Sequence, residues 1–235
     1  MAAASRQNAV PQPAHLGTEQ KLGLAGLHRQ ILDCRRCVVA GLLERAAPVL
    51  ATARRSEIVL VGQAPGRVEE GVGLPFSGRA GRILFRWLAE AGLGDEESAR
   101  RRIYVTSLTK CFPGPARSGS GDRRPSPAEI ELCGGHLRSQ LALQRPWLIL
   151  VVGQMALERF LGPLPMHLAV GRVFRSDSVE RRIPAEQPAS PSNALVLPLP
   201  HPSGASRWLN VAEHRSLLRS ALETLRELTE APPPG

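Results

Sequence analysis

The sequence predicts an α/β fold: a three-layer α/β/α sandwich with a central, mostly parallel four-stranded sheet. Two observations carry that expectation. Four short runs, at 57–62, 103–107, 147–153 and 194–199, are nearly continuous in apolar residues rather than alternating, as strands covered on both faces must be. Longer segments with helical spacing separate them, which is the strand–helix alternation of a parallel sheet flanked by helices.

In chain order, residues 1–18, rich in Ala, Pro and Gln without an apolar period, read as a flexible arm. Residues 19–230 read as one domain, and 231–235 (Ala-Pro-Pro-Pro-Gly) as a tail, because proline lacks the amide donor that a helix needs. Helical spacing covers 79–92, 127–143 and 154–161. Two stretches crowded with chain breakers read as loops: 113–125, and 181–192 with Pro184, Pro188 and Pro191. A closing helix over 206–229 sets Leu209, Leu217, Leu218, Leu222, Leu225 and Leu228 near one stripe. Ligands of such sheets sit beyond the carboxyl ends of the strands. The loops after Gly62, Ser107, Gly153 and Leu199 are therefore where a site is expected.

Composition narrows the function classes. A hydrophobic content of 43% suffices for one sizeable core and excludes global disorder. No run of about 18 apolar residues exists, so no membrane span is expected. The start, Met1-Ala-Ala-Ala-Ser-Arg-Gln, lacks the basic-then-apolar pattern of a secretory signal, from which a cytoplasmic location is expected. Thirty Lys and Arg against 21 Asp and Glu leave a net charge of +9, which favours a polyanionic partner such as nucleic acid. A solvated basic surface gives the same count. Only Lys21 and Lys110 are lysines, and that arginine bias also fits a GC-rich genome.

Cys34-Arg-Arg-Cys37 is a C-x-x-C pair, and Cys111 and Cys133 complete a set of four. A cytoplasmic chain has little use for structural disulfides. A thioredoxin-like pair would sit at the end of a strand feeding a helix, whereas this one precedes the first strand. Structural zinc usually takes two close pairs; the open spacing of Cys111 and Cys133 suits a [4Fe–4S] cluster. On chemistry alone the cluster, zinc and unligated core thiols all stay open. Arg35, Arg36 and Lys110 beside these cysteines suit a negatively charged cluster or nearby DNA phosphates.

The loops and cysteines point together. Gly62-Gln-Ala-Pro-Gly66 follows the first strand, Leu74-Pro-Phe-Ser-Gly-Arg-Ala-Gly81 runs into a helix, and His201-Pro-Ser-Gly-Ala-Ser-Arg-Trp208 follows the last strand. The chain resembles the uracil-DNA glycosylase superfamily, and specifically its iron–sulfur-containing family 4, over residues 25–228. That family carries G-E-x-P-G, G-x-P-F-x-G-x-A-G and H-P-S/A motifs with four cluster cysteines in this order.

The resemblance implies a monomeric DNA repair glycosylase that flips uracil, or another deaminated base, out of DNA and hydrolyses its glycosidic bond. It implies a [4Fe–4S] cluster on Cys34, Cys37, Cys111 and Cys133. Phe76 would stack on the flipped base, with Gly62, Ala64 and Ser107 around it. His201 would donate to the departing base, where donors aimed at developing negative charge act most strongly. Gly78 and the helix start at Arg79 would offer amides to a phosphate. Ser203, Gly204, Ala205 and Arg207 would enter the minor groove; the usual apolar wedge is matched by Ala205, so Arg207 or Trp208 would have to plug the gap.

The chain departs from the family twice. Gln63 replaces the motif 1 Glu, and an amide orients water but cannot accept its proton; Glu69 and Glu70 lie close enough in sequence to supply a carboxylate. Ser107 replaces the Asn that pairs with the uracil edge, and one rotatable hydroxyl reads a base less strictly than an amide. The missing carboxylate keeps open an iron–sulfur DNA-binding protein of the same fold with little catalysis. A covalent uracil trap is disfavoured, since the loop from Phe112 to Pro127 holds no histidine. A redox enzyme is disfavoured too, since all four cysteines are needed as ligands.

Overall fold

The computed structural model describes residues 23–117, 121–176, 194–203 and 207–231. The sheet is built from β1 (Ile58–Gly62), β2 (Ile103–Ser107), β3 (Leu148–Val152), β4 (Phe174–Arg175) and β5 (Leu195–Leu199), in the order β2-β1-β3-β5-β4. The first three pairings are parallel, and β4 joins the edge of β5 antiparallel. The sheet thus has five strands where four were expected. At two residues β4 is too short to carry a period.

Around it lie α1 (Leu24–Leu32), α2 (Arg36–Val39), α3 (Arg67–Val72), α4 (Arg79–Glu90), α5 (Glu96–Arg102), α6 (Pro127–Gln144), α7 (Gln154–Leu161), α8 (Met166–Ala169) and α9 (Ala212–Glu230). Successive strand side chains point to opposite faces, so each strand feeds two cores. Leu60, Leu150 and Leu197 pack with Leu84 and Leu88 of α4 and Leu222 and Leu225 of α9. Val61, Val151 and Val196 pack with Leu137 and Leu141 of α6 and Leu157 and Phe160 of α7. This double coverage is why the strands read as continuous apolar runs.

The closing helix starts at Ala212 rather than at 206, after a 3-10 turn over Trp208–Asn210. Ser126 caps α6: it accepts from the Glu129 N–H at 3.3 Å, while the Glu129 carboxylate accepts from the Ser126 N–H at 2.6 Å. The expected arm and the 181–192 loop lie outside the described residues, as does all of the expected tail but Ala231. The two described arms of the 113–125 loop, 113–117 and 121–125, pair as in a hairpin, through a bridge between Pro115 and Asp122 and Arg123 N–H donating to Gly114 O at 3.0 Å.

Candidate active site

β1 and β3 are neighbours, and the chain continues from them to opposite sides of the sheet, from β1 to β2 and from β3 to β4 and β5. Outside their carboxyl ends lies an open cleft of about 310 Å³, whose lining includes Gln63, Asp122, Arg124, Gly153, His201 and Trp208. This is the topological switch point where such sheets take ligands.

His201 is positioned by the end of β5 and by the glycine after β3. A Cβ on Gly153 would lie 3.2 Å from His201 Cδ2, and Gly153 has φ +86°, so glycine lets the imidazole seat there. His201 Nδ1 accepts the Ser203 N–H at 3.2 Å. That bond leaves the proton on Nε2, making it a donor. Burial, and secondarily Arg124, pushes His201 below its ordinary range, so the ring is neutral at neutral pH.

Motifs 1 and 2 touch through Phe76. Its ring atoms Cε2 and Cζ would lie 3.0 Å from a Cβ on Gly62, so the ring covers the end of β1. Phe76 has φ +53°, a backbone state unusual for a bulky residue, which the surrounding structure must hold. Arg100 holds it, donating to Pro75 O at 3.0 Å and Phe76 O at 3.2 Å while lying 4.3 Å over the Phe85 ring. A Cβ on Gly81 would come within 1.7 Å of Phe76 O; the last glycine of motif 2 is a steric requirement of this turn. Gln63 and Ala64 are half-buried at the end of β1.

Two expectations are corrected here. The Gly78 N–H, expected to face a phosphate, donates to Glu69 Oε1 at 3.2 Å, while Glu69 Oε2 accepts the Gly66 N–H at 3.1 Å. Glu69 therefore ties motif 1 to motif 2 and is not a spare carboxylate. Nor is Glu70, whose nearly buried side chain pairs with Arg45. Arg79, the first residue of α4, remains exposed.

Ser107 ends β2 beside Gly62 and is buried. Its hydroxyl donates to Thr109 O at 2.7 Å, and its carbonyl accepts from Lys110 Nζ. Behind it runs a chain of hydrogen bonds: Lys110 Nζ to Thr106 Oγ1 (3.0 Å), Thr106 Oγ1 to Gln140 Oε1 (2.9 Å), Gln140 Nε2 to Tyr104 Oη (2.6 Å) and His28 Nε2 with Tyr104 Oη (2.7 Å). Ser203 lines the cleft beside His201, and Arg207 is exposed at the start of the 3-10 turn. Gly204 and Ala205 lie outside the described residues. Trp208 is stacked on His214, ring centroids 4.3 Å apart, and packs against the core. Of the two expected plugs, Arg207 is therefore the one left exposed.

Cys34, Cys37, Cys111 and Cys133 line one compartment with Ile31, Leu43, Pro48 and Leu132. All four are free thiols. Among the described residues no group of three or more His, Cys, Asp or Glu side chains is arranged to hold a metal ion. Burial, reinforced by the neighbouring thiols, pushes Cys37 up to about 11 and Cys111 up to about 12. Two buried polar atoms without a hydrogen-bond partner, Thr109 Oγ1 and His136 Nε2, belong to residues lining this same compartment. Lys110, 1% exposed, lines it as well; burial pushes its ammonium down to about 8, a shift that proximity to the Cys133 and Cys111 sulfurs opposes.

Sequence reasoning overlooked Asp122, which lay inside a segment read as loop. Gly121-Asp122 just before the Ser126–Glu129 capping box was the available signal, since a hairpin abutting a capped helix start is held in place. Arg123 fastens it, forming a two-pronged pair with Glu129 at 2.7 Å on each prong.

Comparison with known proteins follows the same lines. A family model described as the uracil DNA glycosylase superfamily matches residues 50–226. A type-4 uracil-DNA glycosylase from Archaeoglobus fulgidus is 38% identical over 128 residues, covering 54% of this chain and 58% of that protein. One from Sulfurisphaera tokodaii is 26% identical over 209 residues, covering 89% of this chain and 86% of the other. One from Thermotoga maritima is 35% identical over 105 residues, covering 45% and 49%. Against the first and third, the match spans about half the relative's length.

Proposed function

The chain belongs to the uracil-DNA glycosylase superfamily, and we propose that it removes uracil from DNA by hydrolysing the N-glycosidic bond, leaving an abasic site. The observation that carries this reading is His201: a neutral imidazole, fixed as an Nε2–H donor, lining the switch-point cleft with Gln63. Bond cleavage leaves negative charge on the base, and a preorganised donor stabilises it without having to lose solvent at that moment. Phe76, held over the end of β1, supplies an aromatic face for a base taken out of the duplex. Gln63 orients the attacking water. The +9 charge supplies phosphate attraction.

We further propose that Cys34, Cys37, Cys111 and Cys133 hold a [4Fe–4S] cluster. The support is the fit of the compartment. Four thiols line it, its walls contain two orphaned polar atoms, and a buried ammonium adjoins it. A negatively charged group with several acceptor sulfurs matches all three features. When bound, it supplies a cross-link between the N-terminal helices and the 111–133 segment.

The test is incubation of pure protein with oligonucleotides carrying uracil, hypoxanthine or xanthine, followed by alkaline cleavage of abasic sites. Strand cleavage at uracil is expected. Binding of uracil-containing DNA with no excision would instead identify an iron–sulfur DNA-binding protein of this fold. Iron analysis tests the cluster, and stoichiometric zinc without iron would exclude it.

A further inference from the structure

The cleft contains Gln63, which cannot accept a proton, and His201, whose donor faces the departing base in the reading above. Among its described lining residues it also contains one carboxylate, Asp122. We propose that Asp122 is the catalytic carboxylate of this cleft, accepting the proton of the attacking water in the place that Gln63 leaves unfilled. The inference rests on the glycosylase reading.

Three observations carry it. The first is position. Asp122 reaches the cleft from outside the three motif loops, on the hairpin bridged at Pro115 and anchored one residue later by the Arg123–Glu129 pair. The second is approach. Asp122 Oδ2 would lie 2.7 Å from a Cβ on Gly66, so the glycine that closes motif 1 is what admits the carboxylate beside the loop carrying Gln63. The third is availability. Oδ2 accepts the Arg67 N–H at 3.3 Å, while Oδ1 has no hydrogen-bond partner among the described residues. Glu69 and Glu70, the other acids of the neighbourhood, are engaged with backbone amides and with Arg45.

The step balances simply. The C1′–N1 bond breaks and its electron pair leaves with the base, whose negative charge is stabilised by His201 Nε2–H. The water oxygen, oriented by Gln63, bonds to C1′. The proton it sheds passes to Asp122 Oδ1 and from there to solvent.

Asp122→Asn separates this role from a merely structural one, because the amide oxygen can still accept the Arg67 N–H. A structural role predicts an unchanged rate. The proposal predicts a single-turnover loss of about 10²-fold, the lower range for removal of a general base, together with loss of the acidic limb of the pH–rate profile. The charged and titratable groups around Asp122 are Arg67 and Glu69 of α3, Arg123 and Arg124 of its own segment, and His201 across the cleft.

Gln63→Glu in the Asp122→Asn background restores a carboxylate from the other wall and should regain most of the rate. If Asp122→Asn lowers the melting midpoint, this second variant decides: recovery of rate without recovery of the midpoint supports the proposal, and no recovery overturns it. An Asp122→Asn rate within threefold of the parent, with the acidic limb intact, also overturns it. A parent chain that excises no uracil overturns the glycosylase reading, and this inference with it, before any variant is made.

Discussion

Replacing His201 by alanine should leave a protein that still binds DNA but hardly turns over. Among the described residues the side chain makes one structural bond, accepting the Ser203 N–H at Nδ1, and its loss costs about 0.5–1.5 kcal/mol of local stability. The functional loss is larger. Removing one preorganised donor from a developing anion costs about 2.7–4 kcal/mol, a fall of about 10²–10³ in rate. Affinity for DNA should change little, because phosphates supply most of it. The parent carries a second signature. His201 is held below its ordinary 6.5 by burial and then by Arg124, so His201 protonation should cost no rate until pH falls below 6.5. The assay is single-turnover excision from a labelled uracil oligonucleotide with enzyme in excess, repeated across pH. A variant within about tenfold of the parent, or a parental rate loss from His201 titrating at 6.5, would refute the assignment of His201 as a neutral donor.

Gly81→Ala should be far more damaging to the fold than its size suggests, by about 3 kcal/mol or more, because its Cβ would meet Phe76 O at 1.7 Å in a turn clamped by Arg100; an unchanged urea midpoint would contradict this. His28, His136 and His201 are all held below 6.5 by burial, His136 at about 4. The unfolded chain thus takes up protons first, and the stability present above pH 6.5 should fall as pH drops toward 4, read by denaturant midpoints at stepped pH. The logarithm of DNA affinity should fall with the logarithm of salt by about 0.9 per duplex phosphate contacted, and a flat response would argue against the basic surface as the DNA contact. Lys110→Met should raise the thermal midpoint of the iron-free chain, since a buried cation is then removed from among neutral thiols; a lowered midpoint would show that its bonds to Thr106 and Ser107 outweigh its desolvation.

The strands, the motif loops and the cysteine set were legible because each is written in contiguous residues. Val59, Leu60 and Val61 announce a doubly covered strand by themselves, and His201 between Pro200 and Pro202 announces a fixed loop. What escaped the sequence depends on partners far along the chain. Glu69 looked like a spare carboxylate until Gly78 and Gly66 were seen to donate to it. Trp208 looked available as a plug until His214, a turn and a half further on, was seen to stack against it. Asp122 sits in a stretch whose composition signals only a turn, and its place in the cleft follows from the 2.7 Å prongs between Arg123 and Glu129. The short edge strand β4 has no pattern to read.

The order in which the parts of the site occur along the chain sets an order of assembly during synthesis. All four cysteines have been made by residue 133, along with β1 and β2, whereas β3 and β5 come later and His201 later still. About 70 residues separate Cys133 from His201, roughly 3–14 s of translation at ordinary elongation rates. During that interval the nascent chain presents its thiols with half of its parallel sheet still unmade. Filling of the proposed cluster site can therefore precede completion of the cleft, and a ribosome-bound intermediate cannot excise a base before its cysteine compartment has been made.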